Sequence, residues 1–187
     1  MNLNSAVQLA HIIMRNTVRP GDIVVDATVG NGSDTALLAE LVDTKGHVYG
    51  FDIQQEAISR TAQLLAELKL SEQATLYQLS HAELSKVLQK PIKAAMFNLG
   101  YLPGSQSSIT TQPETTLDAL KQLLRLLLPG GRITLVVYSR HDAEHESTAL
   151  QEFLRELPQQ EFNVIKSCYL NQVNQPPYLV IIEKITR

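Results

Sequence analysis

Apolar and polar positions recur in two rhythms along the chain, one helical and one alternating. From Ser5 to Asn16, Ala6, Leu9, Ala10, Ile13 and Met14 fall on one helical face, with Ser5 as the N-cap. Arg19-Pro20-Gly21-Asp22 stops that helix and turns the chain into a short apolar strand, Val24-Val25-Asp26. After a glycine turn, a helix runs to about Val42, and a strand follows over His47–Asp52. The pattern then predicts a helix over Gln54–Lys69, a strand over Thr75–Leu79 and a short helix opening at Ser80. Ile92 to Phe97 is an unbroken apolar run, suited to a strand covered on both faces. Leu117–Leu128 reads as a helix ended by Pro129-Gly130-Gly131. Arg132–Tyr138 is a fifth strand, followed by a helix to about Leu157. The last two runs, Phe162–Leu170 and Tyr178–Ile185, are joined without a helix and should pair as an antiparallel hairpin.

Five strand–helix units and a terminal hairpin predict one α/β domain over residues 1–187, Rossmann-like in design. Its sheet should have seven strands, mostly parallel with the last strand antiparallel, and helices on both faces. Ligands in such sheets bind at the carboxyl ends of the parallel strands. The polar segments expected there are Asp26–Gly32, Asp52, Ser80-His81, Asn98–Tyr101, Tyr138–Asp142 and Asn171–Asn174. The helix ahead of the first strand should lie over the cleft or merely pack on the sheet.

The first of these segments carries the clearest chemistry. Asp26-Ala27-Thr28-Val29-Gly30-Asn31-Gly32 follows a strand and opens a helix. Glycines allow close backbone approach to a ligand, and the helix start offers unpaired N–H groups. A dinucleotide fingerprint needs a third glycine, but Thr35 stands at that place, which disfavours an NAD dehydrogenase. Asp-x-x-x-Gly-x-Gly is similar to the S-adenosylmethionine (SAM) turn of Rossmann-like methyltransferases. Asp26 would then lie near the ligand's ammonium group, with Thr28, Gly30, Asn31 and Gly32 around the methionine part. Asp52 ends the second strand 22 residues after Gly30. That is near the separation of about 20 at which an acid meets ribose hydroxyls. Ile53 follows it, and Ser80 or His81 takes the place near the adenine.

Composition narrows the class. Hydrophobic residues make up 44 % of the chain, enough for a sizeable core. No apolar run is long enough to cross a bilayer and no signal-peptide layout is present, so a cytoplasmic enzyme is expected. Cys168, the one cysteine, is expected to be a buried structural thiol. Neither a metal-ligand cluster nor a Ser/His/Asp set is visible. The net charge of −3 argues against a strongly basic nucleic-acid binder, while leaving room for an enzyme that grips one nucleotide.

Asn98-Leu99-Gly100-Tyr101 stands where many amino-group methyltransferases carry Asn-Pro-Pro-Tyr. In that arrangement the Asn oxygen and a backbone carbonyl accept from the target amine, and the aromatic ring stacks on the base. Two acceptors aim the nitrogen lone pair at the methyl carbon. Asn98 and Tyr101 are therefore the candidate catalytic pair, with Asn98 also bordering the cofactor. An alkylamine arrives as ammonium, so His141 or Tyr138 is the candidate proton acceptor. A turn with a buried tyrosine is the plain alternative for residues 98–101.

The strings VVDATVGNGSDT, VYGFDIQ, FNLGYLPG, LLPGGRITLVVYSRH and NQVNQPPYLVIIEK together resemble a family of small bacterial methyltransferases labelled rRNA methylases. The resemblance extends from about residue 5 to the C-terminus. It implies a class I, SAM-dependent methyltransferase fold and activity, and methylation of the aminomethyl group of 5-aminomethyl-2-thiouridine in the tRNA anticodon. It also implies a homodimer; Asn171, Gln172 and Asn174 are expected beside Tyr101 on the RNA side, where Arg140 would add a cation for a phosphate. One segment departs from the family. After Tyr138 the family reads Ser-Gly-His followed by a glycine-rich turn, whereas Arg140 replaces the glycine here and Asp142-Ala143-Glu144 replaces the turn. Other acceptors remain open: another RNA nucleotide, a small-molecule amine, or a SAM-binding module without catalysis.

Overall fold

The structure is a computed structural model that describes residues 4–99, 113–138, 144–173 and 176–185. In chain order its elements are α1 (Ala6–Thr17), β1 (Ile23–Asp26), α2 (Ser33–Val42), β2 (His47–Asp52), α3 (Gln55–Glu67) and β3 (Ala74–Gln78). They continue with β4 (Ile92–Leu99), α4 (Pro113–Leu126), β5 (Leu127–Val137), α5 (Glu144–Arg155), β6 (Phe162–Ser167) and β7 (Tyr178–Lys184). The strands form one seven-stranded sheet in the order β3-β2-β1-β4-β5-β7-β6. Neighbours from β3 to β5 are parallel. β7 runs antiparallel to both β5 and β6. The expected reversal of the last strand is present, and the reversed strand lies inside the sheet rather than at its border.

The apolar faces read from the sequence divide into two layers. Ala6, Ala10 and Met14 of α1, Leu38 of α2 and Leu65 of α3 pack with Val24, Met96, Val136 and Leu179 on one face of the sheet. Leu120 and Leu123 of α4 and Leu150 and Leu154 of α5 cover the other face with Phe97, Leu135 and Val180. Residues two apart in a strand share a face, so this split follows the strand alternation. Ser5 caps α1 as expected, its hydroxyl accepting from the backbone N–H of Gln8 at 3.2 Å. At the far end of α1, Arg132 of β5 donates to Glu183 of β7 at 2.6 Å and to Thr17 Oγ1 at 3.0 Å. One side chain thereby ties helix, fifth strand and last strand together.

Three local departures from expectation matter. β4 continues past Phe97 to Leu99, so Asn98 is held in the strand ladder opposite Val136. β5 begins at Leu127, which pairs with Ile92 before the register slips around Pro129-Gly130-Gly131 and resumes at Arg132 with Ala94. The Pro-Gly-Gly group is a bulge within the strand; α4 has already ended at Leu126, because Leu127 fills the buried pairing site. Cys168 is exposed rather than buried. β6 is an edge strand that ends at Ser167, so the residue after it has left the sheet. No helix among the described residues is long and apolar enough to cross a membrane.

Candidate active site

The chain leaves β1 along a path stitched to both neighbouring strands. The N–H of Ala27 donates to the carbonyl of Met96 at 2.9 Å, and that of Val29 to the carbonyl of Phe51 at 3.1 Å. Gly30 and Gly32 then adopt φ of 52° and 83°, in the left-handed region that glycine enters without strain. Gly32 serves a second need: a Cβ there would lie 2.7 Å from Thr61 Oγ1, so α3 packs directly on the turn. Gly32 also precedes α2 without a side-chain cap, leaving the first-turn N–H groups of that helix available to a polar ligand. Gly50 has the same role one strand away, since a Cβ would meet Val29 Cγ2 at 2.8 Å.

Asp26 is wholly buried beneath this turn. One carboxylate oxygen accepts from the N–H of Thr28 at 3.1 Å and the other from the hydroxyl of Thr35 at 2.6 Å. Burial first, then the charge of Asp34, pushes its pKa up to about 7, against the pull of those two donors. Its oxygens are thus engaged in shaping the loop. Asp34, also buried, pairs with His11 of α1 at 2.5 Å. Neither residue was picked out from the sequence; the only signal was a polar residue on the helix that follows the glycine turn and a histidine on a facing helix. Together they fasten α1 to the start of α2.

Asp52 ends β2, with Oδ2 accepting from the N–H of Gly30 at 2.9 Å and Oδ1 from that of Gln54 at 2.9 Å. Each oxygen keeps a further lone pair for a ribose hydroxyl. Ile53 beside it is 50 % exposed, an apolar side chain at the rim. Asn31 is also at the surface, where its side-chain oxygen accepts from Arg60 at 3.1 Å. Ser80 caps the short 3-10 turn His81–Lys86 by accepting from the N–H of Ala82 at 3.2 Å.

His81 is buried, edge-on to Phe97 at 5.7 Å between ring centres. Its Nδ1 lies 3.0 Å from the carbonyl oxygen of Ala27. A carbonyl only accepts, so Nδ1 carries the proton and Nε2 the lone pair. Burial lowers the pKa of the ring, outweighing the Ala27 hydrogen bond and the charge of Asp52. Nε2 is buried and has no hydrogen-bond partner among the described residues. A neutral ring with an unused acceptor near Asp52 suits an amino group such as that of adenine.

Asn98 meets the cofactor loop directly: its N–H donates to Thr28 Oγ1 at 2.7 Å. Tyr138 directly follows β5, half-buried against the α1 side of the sheet. Asn171 and Gln172 are exposed on the β6–β7 connection. Tyr101, Arg140, His141 and Asn174 lie outside the described residues. Among the described residues, no group of three or more His, Cys, Asp or Glu is placed to hold a metal ion.

The arrangement fits SAM: a glycine turn with close backbone approach, an acid with spare lone pairs at the second strand end and an orphaned acceptor at the third. The profile of the family described as "Putative rRNA methylase" matches residues 48–183. The chloroplastic "tRNA (mnm(5)s(2)U34)-methyltransferase" of Arabidopsis thaliana is 38 % identical over 192 residues, covering 96 % of this chain and 69 % of that one. Among solved structures, a "putative rRNA-methylase" from Clostridium thermocellum superposes with a TM-score of 0.95 at 44 % identity, covering 99 % of this chain and all (100 %) of that one. A "putative methyltransferase" from Streptococcus mutans, solved in complex with SAH, superposes with a TM-score of 0.90 at 39 % identity, covering 98 % of this chain and 100 % of the other. The chain belongs to this rRNA methylase family and is a class I methyltransferase that uses SAM.

Proposed function

We propose that the enzyme methylates the aminomethyl nitrogen of 5-aminomethyl-2-thiouridine at the wobble position of tRNA. The observation that carries this reading is the placement of Asn98. It is a carboxamide fixed in the β4 ladder at the strand's carboxyl end and bonded through its N–H to the cofactor loop. The likeness to a tRNA methyltransferase, over 96 % of this chain and 69 % of that one, supports the same acceptor.

SAM, when bound, supplies a methyl carbon on a sulfonium that leaves as a thioether, so the acceptor nitrogen needs only a free lone pair and the right line of approach. The side-chain oxygen of Asn98 accepts an N–H of the amine and, with a backbone carbonyl beyond it, aims the lone pair. Tyr101 stacks on the base. The ammonium proton goes to His141, or through Tyr138, before the nitrogen–carbon bond forms and the carbon–sulfur bond breaks. Thr28, Gly30, Asn31 and Gly32 hold the methionine part, with Asp26 acting through the loop it shapes. Asp52 takes the ribose, and Ile53, Ser80 and His81 border the adenine. Arg140, Asn171, Gln172 and Asn174 hold the RNA. We take the working unit to be a homodimer, a reading supported by the open edge of β6 and by Ile165, Leu170 and Val173, which are 55 %, 97 % and 91 % exposed. Light scattering checks it.

The test is methylation of tRNA from cells that lack this modification, with nucleosides resolved by mass spectrometry. The wobble nucleoside should gain one methyl group. Methylation of a different nucleotide, or of a free amine with equal efficiency, overturns the reading. Binding should weaken with salt by a log–log slope of about −0.7 per phosphate contacted.

A further inference from the structure

At the corner between the start of α1, the end of β5 and the β6–β7 connection lies a cavity of about 320 Å³, counting its open mouth. Val136, Tyr138, Tyr169, Pro177, Ser5 and Gln172 are among its lining residues. We propose that this cavity seats the pyrimidine ring of the acceptor nucleotide, an inference that rests on the RNA reading above.

Three features lead there. The first is position. Val136 is the register partner of Asn98 in adjacent parallel strands, so their side chains share the α1 face of the sheet. Neighbouring strands lie about 4.8 Å apart, which is the reach of an aminomethyl arm from a ring over Val136 to the Asn98 side chain. The second is shape. The space closed off from solvent is only about 90 Å³, room for one ring and not for an extended chain. Two tyrosines and a proline offer flat apolar surfaces, and unstacked bases in RNA are held by stacking of this kind. The third is charge. Every described lining residue is uncharged, so the cavity suits a neutral ring better than a phosphate or carboxylate. The Gln172 amide and the Ser5 hydroxyl each offer both donor and acceptor atoms, matching the N–H and carbonyl edge of a uracil-type ring.

The chain has no tryptophan, so Tyr169→Trp creates a single fluorescent reporter inside the cavity. An anticodon stem-loop carrying aminomethyl-thiouridine at the wobble position should quench its emission, and the same stem-loop with an abasic wobble residue should not. Tyr169→Ala should raise KM for the stem-loop by about fivefold to a hundredfold, the loss of one stacking contact. SAM affinity should stay unchanged, and Tyr169→Phe should restore KM. If wild-type enzyme methylates the stem-loop while emission and the Ala variant's KM do not move, the inference is wrong and the RNA reading stands. If the stem-loop is neither methylated nor able to quench, both fall. Quenching by a short uncharged peptide but not by the stem-loop makes this a protein-docking cavity and also overturns the inference.

Discussion

The N–H of Asn98 donates to the hydroxyl oxygen of Thr28 at 2.7 Å, joining residues 70 positions apart. The bond runs between the glycine turn and the residue proposed to aim the acceptor. Any shift of the turn is therefore felt at Asn98. On the proposed reading, Thr28 positions Asn98 as well as bordering the cofactor.

Thr28→Val keeps the shape but removes the acceptor, leaving a part-buried N–H unpaired at a cost of about 1–3 kcal/mol. Turnover should fall by about tenfold or more with SAM affinity little changed, and Thr28→Ser should restore it. Single-turnover rates beside calorimetric SAM binding check this. A fall in SAM affinity as large as the fall in rate would confine Thr28 to the cofactor pocket.

Asn98→Ala should lower turnover by about tenfold to a thousandfold, because orientation of the amine is lost chiefly in the transition state. The SAM dissociation constant should stay close to wild type. Titration calorimetry and initial rates on the same preparation separate the two quantities.

Asp52→Ala removes the acceptor for the Gly30 N–H and the candidate ribose ligand together. Each charge-assisted bond contributes roughly 1.5–3 kcal/mol, so SAM binding should weaken by at least about tenfold. Unchanged affinity would mean that the ribose is held elsewhere.

Much of this was legible beforehand, and the reasons are local. The strand-then-glycine pattern around Asp26 and the acid ending β2 predict where the sheet turns and where its polar rim lies. What the sequence hid was contact between distant elements. Nothing in the string of residues pairs His11 with Asp34 or bonds Asn98 to Thr28, because those distances are set by how α1 and β4 pack. Asp26 is the instructive case. Its place in the motif was evident, yet its burial and its engagement by Thr28 and Thr35 are products of the folded loop. Cys168 was misplaced because an apolar neighbourhood does not reveal that β6 is an edge strand ending one residue earlier.

Asp26 also carries a pH signature. Its folded pKa, pushed up to about 7, exceeds the unfolded value of 3.8, so the folded state holds the proton more tightly. The resulting stabilisation is fully present below pH 3.8 and is lost as pH rises through about 7. Asp26→Asn preserves both hydrogen bonds, its amide donating to a reoriented Thr35 hydroxyl. Between those limits, wild type should lose stability relative to the variant by up to about 1.4 kcal/mol per pH unit. Urea melts at a series of pH values measure the difference. Parallel curves would show that Asp26 ionises in the fold as it does in water.

The place of β7 between β5 and β6 has a consequence for biogenesis. β5 is made about 40 residues before the strand that completes its pairing, on the order of two to eight seconds at ribosomal speeds. Until then its outer backbone edge has no sheet partner, and β6 emerges first with only open solvent beside it. A nascent β5 could meanwhile capture the wrong strand, including one from a neighbouring chain on the same message. Arg132 and Glu183 are direct register partners, so their hydrogen bonds add to the native pairing only once β7 has been made. Translation pauses downstream of β6 should therefore lower the yield of folded enzyme without altering the activity of the molecules that do fold.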